Sequence, residues 1–219
     1  MVAYPAVIVV AILVVAFAWS QFPQSWMPAS LEMILAVLLV LSLMFFRDPD
    51  RAGPQDPAIV LAPADGRVTD IQIVEEGKFI GGPAVRIGIF LSIFNAHINR
   101  SPCSVTVENT AYKKGEYRNA ANPLSSQVNE SNDLSLVRTD NPRDRLLVRQ
   151  ISGAIARRIV CTATRGQVLA AGERFGMIKF GSRTELYAPQ TDSIKCLVQV
   201  GDRVKAGLTP VLRYEKCAR

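Results

Sequence analysis

Two long apolar runs open the chain, and nothing like them follows. From Val2 to Trp19, and again from Trp26 to Phe46, nearly every position is aliphatic or aromatic; the second run is broken only by Pro28, Ser30, Glu32 and Ser42. At 1.5 Å rise per residue, a run of about 18 residues matches the hydrocarbon layer of a bilayer. Pro28 sits where a helix can begin, and Trp19 and Trp26 flank the connector Gln21–Ser25 as interface aromatics. So short a connector forces two helices to run antiparallel. The pattern predicts a membrane hairpin over residues 1–46. Ala16-Phe17-Ala18 has the look of a leader-peptide cleavage site, but no Lys or Arg precedes the first run and a second run follows at once.

Beyond Phe46 the period changes. Residues 47–58 are rich in Pro, Gly and Asp and predict a linker. After them come short runs carrying Val, Ile or Thr, punctuated by glycine and too short for helices. They are Ile59–Leu61, Arg67–Val74, Ala84–Leu91, Ser104–Glu108, Asp144–Gln150, Arg157–Thr164, Met177–Phe180, Thr184–Tyr187 and Ile194–Val200. Asn119–Asn141 is polar and predicts an exposed loop. Residues 59–219 therefore form a mainly β body. Within it, Gly166–Gly172 (GQVLAAG) echoes Gly201–Gly207 (GDRVKAG): glycines at both ends and between them a Val expected to pack inward, each copy flanked by β-type runs. This pattern resembles the turns of barrel-sandwich folds related to biotinyl and lipoyl carriers. It implies a barrel-sandwich-like body of short strands behind the helical hairpin.

Charge is as segregated as hydropathy. Of the 25 Lys and Arg and 19 Asp and Glu in 219 residues, only Glu32 lies before Arg47, so the body carries the whole basic excess. A basic body on an apolar end suits an anionic membrane surface. The arginines are scattered and no nucleic-acid motif is present, so no nucleic-acid partner is expected. Arg47 and Arg51 follow the second run while the connector has no cation, which places the body on the cytoplasmic side of the cell membrane. Cys103, Cys161, Cys196 and Cys217 form no C-x-x-C pair and His97 is the single histidine, so no metal site is expected.

The densest chemical signal is Gly172-Glu173-Arg174-Phe175-Gly176-Met177-Ile178-Lys179-Phe180-Gly181-Ser182-Arg183. With Phe45-Phe46-Arg47-Asp48-Pro49, Pro63-Ala64-Asp65-Gly66 and Phe94-Asn95-Ala96-His97-Ile98-Asn99-Arg100-Ser101-Pro102, in this order, the chain resembles the phosphatidylserine decarboxylase proenzymes in their short, membrane-anchored form. Alone, a Gly-Ser pair is usually a turn, a lone histidine is more often structural, and Asp65-Gly66 is a common hairpin turn.

The resemblance implies self-cleavage between Gly181 and Ser182. Ser182 Oγ attacks the Gly181 carbonyl to form an ester, β-elimination releases the upstream chain, and hydrolysis of the dehydroalanine leaves a covalent pyruvoyl cofactor and ammonia. Neither metal nor pyridoxal phosphate is called for. His97 is implied as the base that activates the serine and as a proton donor in decarboxylation, with Asp65 orienting it. Longer family members carry a second histidine where this chain has Arg100, which leaves the assignment to His97 open. The pyruvoyl group would form a Schiff base with the lipid's serine amine and draw off electrons as CO2 leaves, converting phosphatidylserine to phosphatidylethanolamine. Arg100, Arg183 and Lys179 are candidates to meet the headgroup. The partners implied are a membrane phospholipid and the two cleaved chains as a heterodimer, with higher assembly open. The alternatives are the same reaction on archaetidylserine, a carrier domain with Lys179 as the modified lysine, or a membrane-anchored adaptor.

Overall fold

The computed structural model describes residues 3–21, 27–120, 122, 125–140, 143–154, 158–179 and 182–215, in two compact units divided at Asp48/Pro49. The first unit holds α1 (Ala3–Gln21) and α2 (Met27–Phe45), packed side by side. Both expose large aliphatic and aromatic side chains, including Val7, Leu13, Phe17, Met33, Val37 and Leu43. Water does not tolerate that arrangement on an isolated helix pair; lipid does. Yet among the described residues no helix is long and apolar enough to cross a membrane. At 19 residues each, the helices rise about 28 Å.

The second unit is the β body the sequence predicts. Its strands in chain order are β1 (Ile59–Leu61), β2 (Gly66–Glu76), β3 (Gly82–Leu91), β4 (Ile98–Arg100), β5 (Val105–Lys113), β6 (Ser131–Arg138) and β7 (Arg145–Ile151). There follow β8 (Ile159–Cys161), β9 (Val168–Leu169), β10 (Arg174–Ile178), β11 (Ser182–Pro189), β12 (Ile194–Cys196), β13 (Arg203–Val204) and β14 (Pro210–Tyr214). All strand pairs are antiparallel. They make a curled eight-stranded sheet, β13-β2-β3-β11-β7-β6-β5-β9, and two three-stranded sheets, β1-β14-β12 and β4-β10-β8. Aliphatic side chains from all three fill one core, among them Val60, Ile89, Leu134, Val148, Leu169, Phe175, Leu186 and Leu212.

The strand order contains its own repetition. Exchanging β1, β2, β3, β11, β12, β13 and β14 for β4, β5, β6, β7, β8, β9 and β10 turns each small sheet into the other and the large sheet into itself reversed. The backbone bonds repeat as well. Val68 N donates to Asp202 O and accepts Gly201 N at its own carbonyl; Val107 does the same with Gln167 O and Gly166 N. Gly207 N donates to Ala62 O as Gly172 N does to Ser101 O, each at 2.9 Å. The second half, β4 to β10, is thus inserted whole between β3 and β11 of the first. The sequence echo falls at corresponding places in the two halves, around β9 and β13, and its end glycines all have positive φ. The inward residue of the first copy is Leu169, while Val168 is exposed; in the second copy it is Val204.

One expectation is corrected. Residues 119–141 are no exposed loop: they include a single helical turn, α3 (Ser125–Val128), and β6 at full pairing with β5 and β7. Several of their polar side chains are buried with partners, as in Asn129, whose amide donates to Arg118 O and Ser152 O. Residues 49–58 are fastened to the body: Arg51 to Asp65, Arg100 to Pro49 O, and Arg174 to Asp50.

Replacing Gly207 by alanine sets a Cβ 3.0 Å from Arg100 Cδ and 3.2 Å from Gly172 Cα at φ +69°, whereas at Gly166, φ +83°, a Cβ meets nothing within 4 Å. Gly166→Ala is expected to cost about 1 kcal/mol of left-handed backbone strain, and Gly207→Ala about 1–2 kcal/mol more from crowding. Thermal unfolding of the two variants side by side measures the difference.

Candidate active site

Ser182 opens β11, the strand bonded on both edges in the middle of the large sheet. It pairs with Leu91 at the end of β3, and the register continues to Pro189 opposite Ala84. On the other edge Arg183 to Tyr187 pair with Ile151 to Leu147. Alternation along β11 puts Ser182, Thr184, Leu186 and Ala188 on the core side, and Arg183, Glu185 and Tyr187 on the other. Ser182 is fully buried, and its Oγ has no hydrogen-bond partner among the described residues.

His97 returns to the same place from both directions. Residues 92–97 lead from Leu91, the partner of Ser182, into β4, and His97 O accepts Ile178 N at 3.2 Å near the end of β10. The imidazole is buried, with Nδ1 3.0 Å from Asn95 O. A carbonyl can only accept, so Nδ1 carries the proton and the lone pair sits on Nε2, as a base requires. The Gly181–Ser182 junction is the exit of the inserted half, where chain from β10 re-enters the first half at β11. In the second half the matching position lies between β6 and β7, where Arg138 N donates to Asp144 O. Gly181 itself lies outside the described residues.

A buried amide network, absent from the sequence expectations, ties these strands. Asn99 Nδ2 donates to Thr184 Oγ1 at 3.0 Å, Gln150 Nε2 donates to Asn99 Oδ1 at 2.9 Å, and Asn132 Nδ2 donates to Gln150 Oε1 at 3.1 Å. It joins β4, β11, β7 and β6 two residues from both His97 and Ser182. Asn99 lies in a quoted motif, but Gln150 and Asn132 carry no local signal.

On the opposite face of β11 lies a charged ladder. Arg183 has no exposed surface; its Nε donates to Glu185 Oε1 at 2.8 Å, Nη1 to Thr69 Oγ1 at 2.7 Å, and Nη2 to Asp70 Oδ2 at 2.6 Å. Glu185 also accepts Tyr187 Oη at 2.6 Å, and Arg149 is paired with Asp133. Burial acts to raise the Asp70 pKa, but the hydrogen bond and charge of Arg183, with Thr69 and Arg86, outweigh it and hold the carboxyl below its ordinary value. For Arg183 burial acts to lower the pKa, and Glu185 and Asp70 overcome it and raise it. Gly88 makes the room: a Cβ there would stand 2.0 Å from Arg183 Nη2. Arg183 is therefore committed to its own acids and faces away from Ser182.

The other expected residues are placed as follows. Asp65 Oδ1 accepts Arg51 Nη1 at 2.5 Å and Ala206 N at 2.8 Å, and Oδ2 accepts Arg51 Nη2 at 2.8 Å. Among the described residues no hydrogen bond links it to His97. Arg51, read from sequence as a membrane-flanking cation, is instead a nearly buried clamp. Arg100 is buried, donating to Gly172 O and Pro49 O. Lys179 is half-buried, with its N–H on Arg158 O at 3.2 Å.

The structure thus puts a buried serine at the start of β11 and a buried histidine just before β4, at the two ends of the inserted half of an antiparallel β body. The comparisons with known proteins give the family. The phosphatidylserine decarboxylase family model matches residues 38–211. The phosphatidylserine decarboxylase proenzyme of Symbiobacterium thermophilum is 44% identical over 184 residues, 84% of each chain. That of Carboxydothermus hydrogenoformans is 42% identical over 185 residues, 84% of this chain and 85% of its own. That of Rhodopirellula baltica is 42% identical over 191 residues, 87% and 78%. The chain belongs to the phosphatidylserine decarboxylase family, whose members are lyases.

Arg183→Ala would leave the buried Asp70 and Glu185 with Arg86 as their remaining cation, at 3.2 and 4.0 Å, and is expected to destabilise the fold by about 3 kcal/mol, read by denaturant unfolding. The lowered Asp70 pKa also sets a pH dependence. Its contribution is present in full above the unfolded value, near 3.8, and is lost as pH falls through the still lower folded value. Asp70→Asn is therefore expected to be less stable than wild type at neutral pH, with the gap closing in acid; denaturant midpoints across pH 2–7 (about the span of that titration) measure it.

Proposed function

We propose that this chain is a phosphatidylserine decarboxylase that makes its own pyruvoyl group from Ser182 and converts phosphatidylserine to phosphatidylethanolamine. The observation that carries this reading is Ser182 itself: a fully buried hydroxyl, without a hydrogen-bond partner among the described residues, at the exit joint of an inserted half. In most buried sites an unsatisfied hydroxyl is a cost of about 1–3 kcal/mol; at a nucleophile it keeps the oxygen's lone pairs uncommitted. A pyruvoyl group fits the same place, because a planar carbonyl in a dry, strand-anchored position stays electrophilic. Such a group supplies an electron sink that takes up the pair left behind as CO2 departs.

The chain's own residues do the rest. His97 Nε2 takes the proton from Ser182 Oγ as it attacks the Gly181 carbonyl, and Nδ1–H on Asn95 O holds the ring's orientation. The same imidazole, once charged, is the proton donor to the substrate carbon. Asp65 enters as the acid of the triad only by exchanging Arg51 and Ala206 N for the imidazole. The β11–β3 and β11–β7 pairings hold the small chain, residues 182–219, against the large one after the cut. The two helices of the first unit anchor the enzyme to the bilayer, with the body on the cytoplasmic side as Arg47 indicates.

Wild-type protein is expected to run on a denaturing gel as two chains, the smaller of 38 residues, with mass spectrometry showing a blocked pyruvoyl end in place of serine. Ser182→Ala and His97→Ala should remain uncut. Normal cleavage in His97→Ala would remove the histidine from the reading. Asp65→Asn should give folded, uncut precursor; a cut chain with lowered thermal stability would leave Asp65 as a clamp alone.

A further inference from the structure

Ile93 and Phe94 form an apolar tip beside the candidate active site. Large apolar side chains elsewhere on the body are exposed singly, at Ile73, Tyr112, Tyr117, Val168, Leu197 and Val200; among the described residues of 49–219 only Ile93 and Phe94, 47% and 60% exposed, are adjacent. Single exposed apolar residues need no explanation, whereas a paired tip does. The turn that presents them is held in shape. Asn95 Oδ1 accepts both Ser92 N at 2.9 Å and Ser92 Oγ at 2.8 Å, and Asn95 N donates to Ser92 O at 3.0 Å. The turn that carries the two side chains is closed by these hydrogen bonds between Ser92 and Asn95.

Position gives the tip its meaning. One residue before Ser92 stands Leu91, the register partner of Ser182; two residues after Asn95 stands His97. The tip thus lies in the segment that joins the partner of Ser182 to His97. Cations follow on the strand bonded to His97: His97 O accepts Ile178 N, and the next residue, Lys179, bonds through its N–H to the carbonyl of the exposed Arg158. Two exposed apolar side chains on a basic body match a phospholipid bilayer surface, apolar beneath and anionic at the headgroups. A headgroup must leave that surface to reach the buried Ser182.

We propose that the Ile93–Phe94 tip docks the active-site rim into the bilayer, so that a phospholipid headgroup passes to Ser182 without the lipid leaving the membrane. The inference rests on the phospholipid substrate proposed above and adds to it a second membrane contact, separate from the helices of the first unit. The tip takes no part in the chemistry. It sets the depth and orientation of the site relative to the headgroups, so its effect appears only when the substrate is in a bilayer.

The test uses the full-length, self-cleaved enzyme on two substrates: phosphatidylserine in phosphatidylcholine vesicles, and dihexanoyl phosphatidylserine below its micelle concentration. The double variant I93S/F94S is expected to lose about tenfold or more in kcat/KM on vesicles, in line with loss of two buried apolar side chains, and to match wild type within about twofold on the monomeric lipid. Phe94→Leu should keep vesicle activity, since apolar area and not aromatic chemistry is what the bilayer reads. Completeness of self-cleavage on a gel reports that the variants fold. Equal losses on both substrates would place the tip in the chemistry and overturn the proposal, as would unchanged vesicle activity in I93S/F94S. Wild-type enzyme inactive on both lipids would instead sink the decarboxylase reading itself.

Discussion

Hydrogen bonding of β11 along both of its edges is the constraint on which the rest depends. A peptide bond adjacent to this strand can be broken because the strand does not rely on that bond for its place. β3 on one side and β7 on the other hold it in register over most of its length, and β13 and β14 of the same downstream chain pair with β2 and β1 upstream. The downstream piece is woven into both the large sheet and a small one. Cutting at its start removes a covalent link but no backbone pairing.

The internal repetition puts the proposed cut at a joint between the two halves. In the second half, β6 and β7 follow one another directly in the chain; in the first half, the corresponding strands β3 and β11 are separated by the entire second half. Residues 92–97 lead into that insertion, and the chain leaves it between Lys179 and Ser182. A histidine from the entry segment and a serine from the exit strand are thus each tied to this region of the fold, Ser182 through Leu91 and His97 through Ile178, without any sequence proximity. The buried amides of Asn99, Gln150 and Asn132 then fix the strands around that region. On the far face, Arg183, Asp70 and Glu185 do the same with charge. Buried ion pairs contribute little net stability after desolvation, but each is costly to break, which restricts β11 to a single register.

Much of the body was legible in the sequence. β2, β3 and β7 alternate or run apolar in the way strands do, and the repeated glycine turns mark corresponding corners of the two halves. β6 was not legible. Ser131-Asn132-Asp133 looks like loop composition, and only the partners supplied by β7, Gln150 and Arg149, make it a buried strand. The roles of the arginines were equally hidden. Arg51, Arg100 and Arg183 all read as free cations in a string of letters. Each turns out to be held by groups 14 to 155 positions away.

The chain's letters alone determined the apolar hairpin, the β character of the body, and the Gly181–Ser182 pair with its single histidine, because these depend on local period and on residue chemistry. Only the three-dimensional arrangement decided which half is inserted into which, which face of β11 the serine occupies, and which charges are spent on one another. Those depend on strands brought together across the whole chain, and pairing over such separations leaves no mark in any short window of sequence.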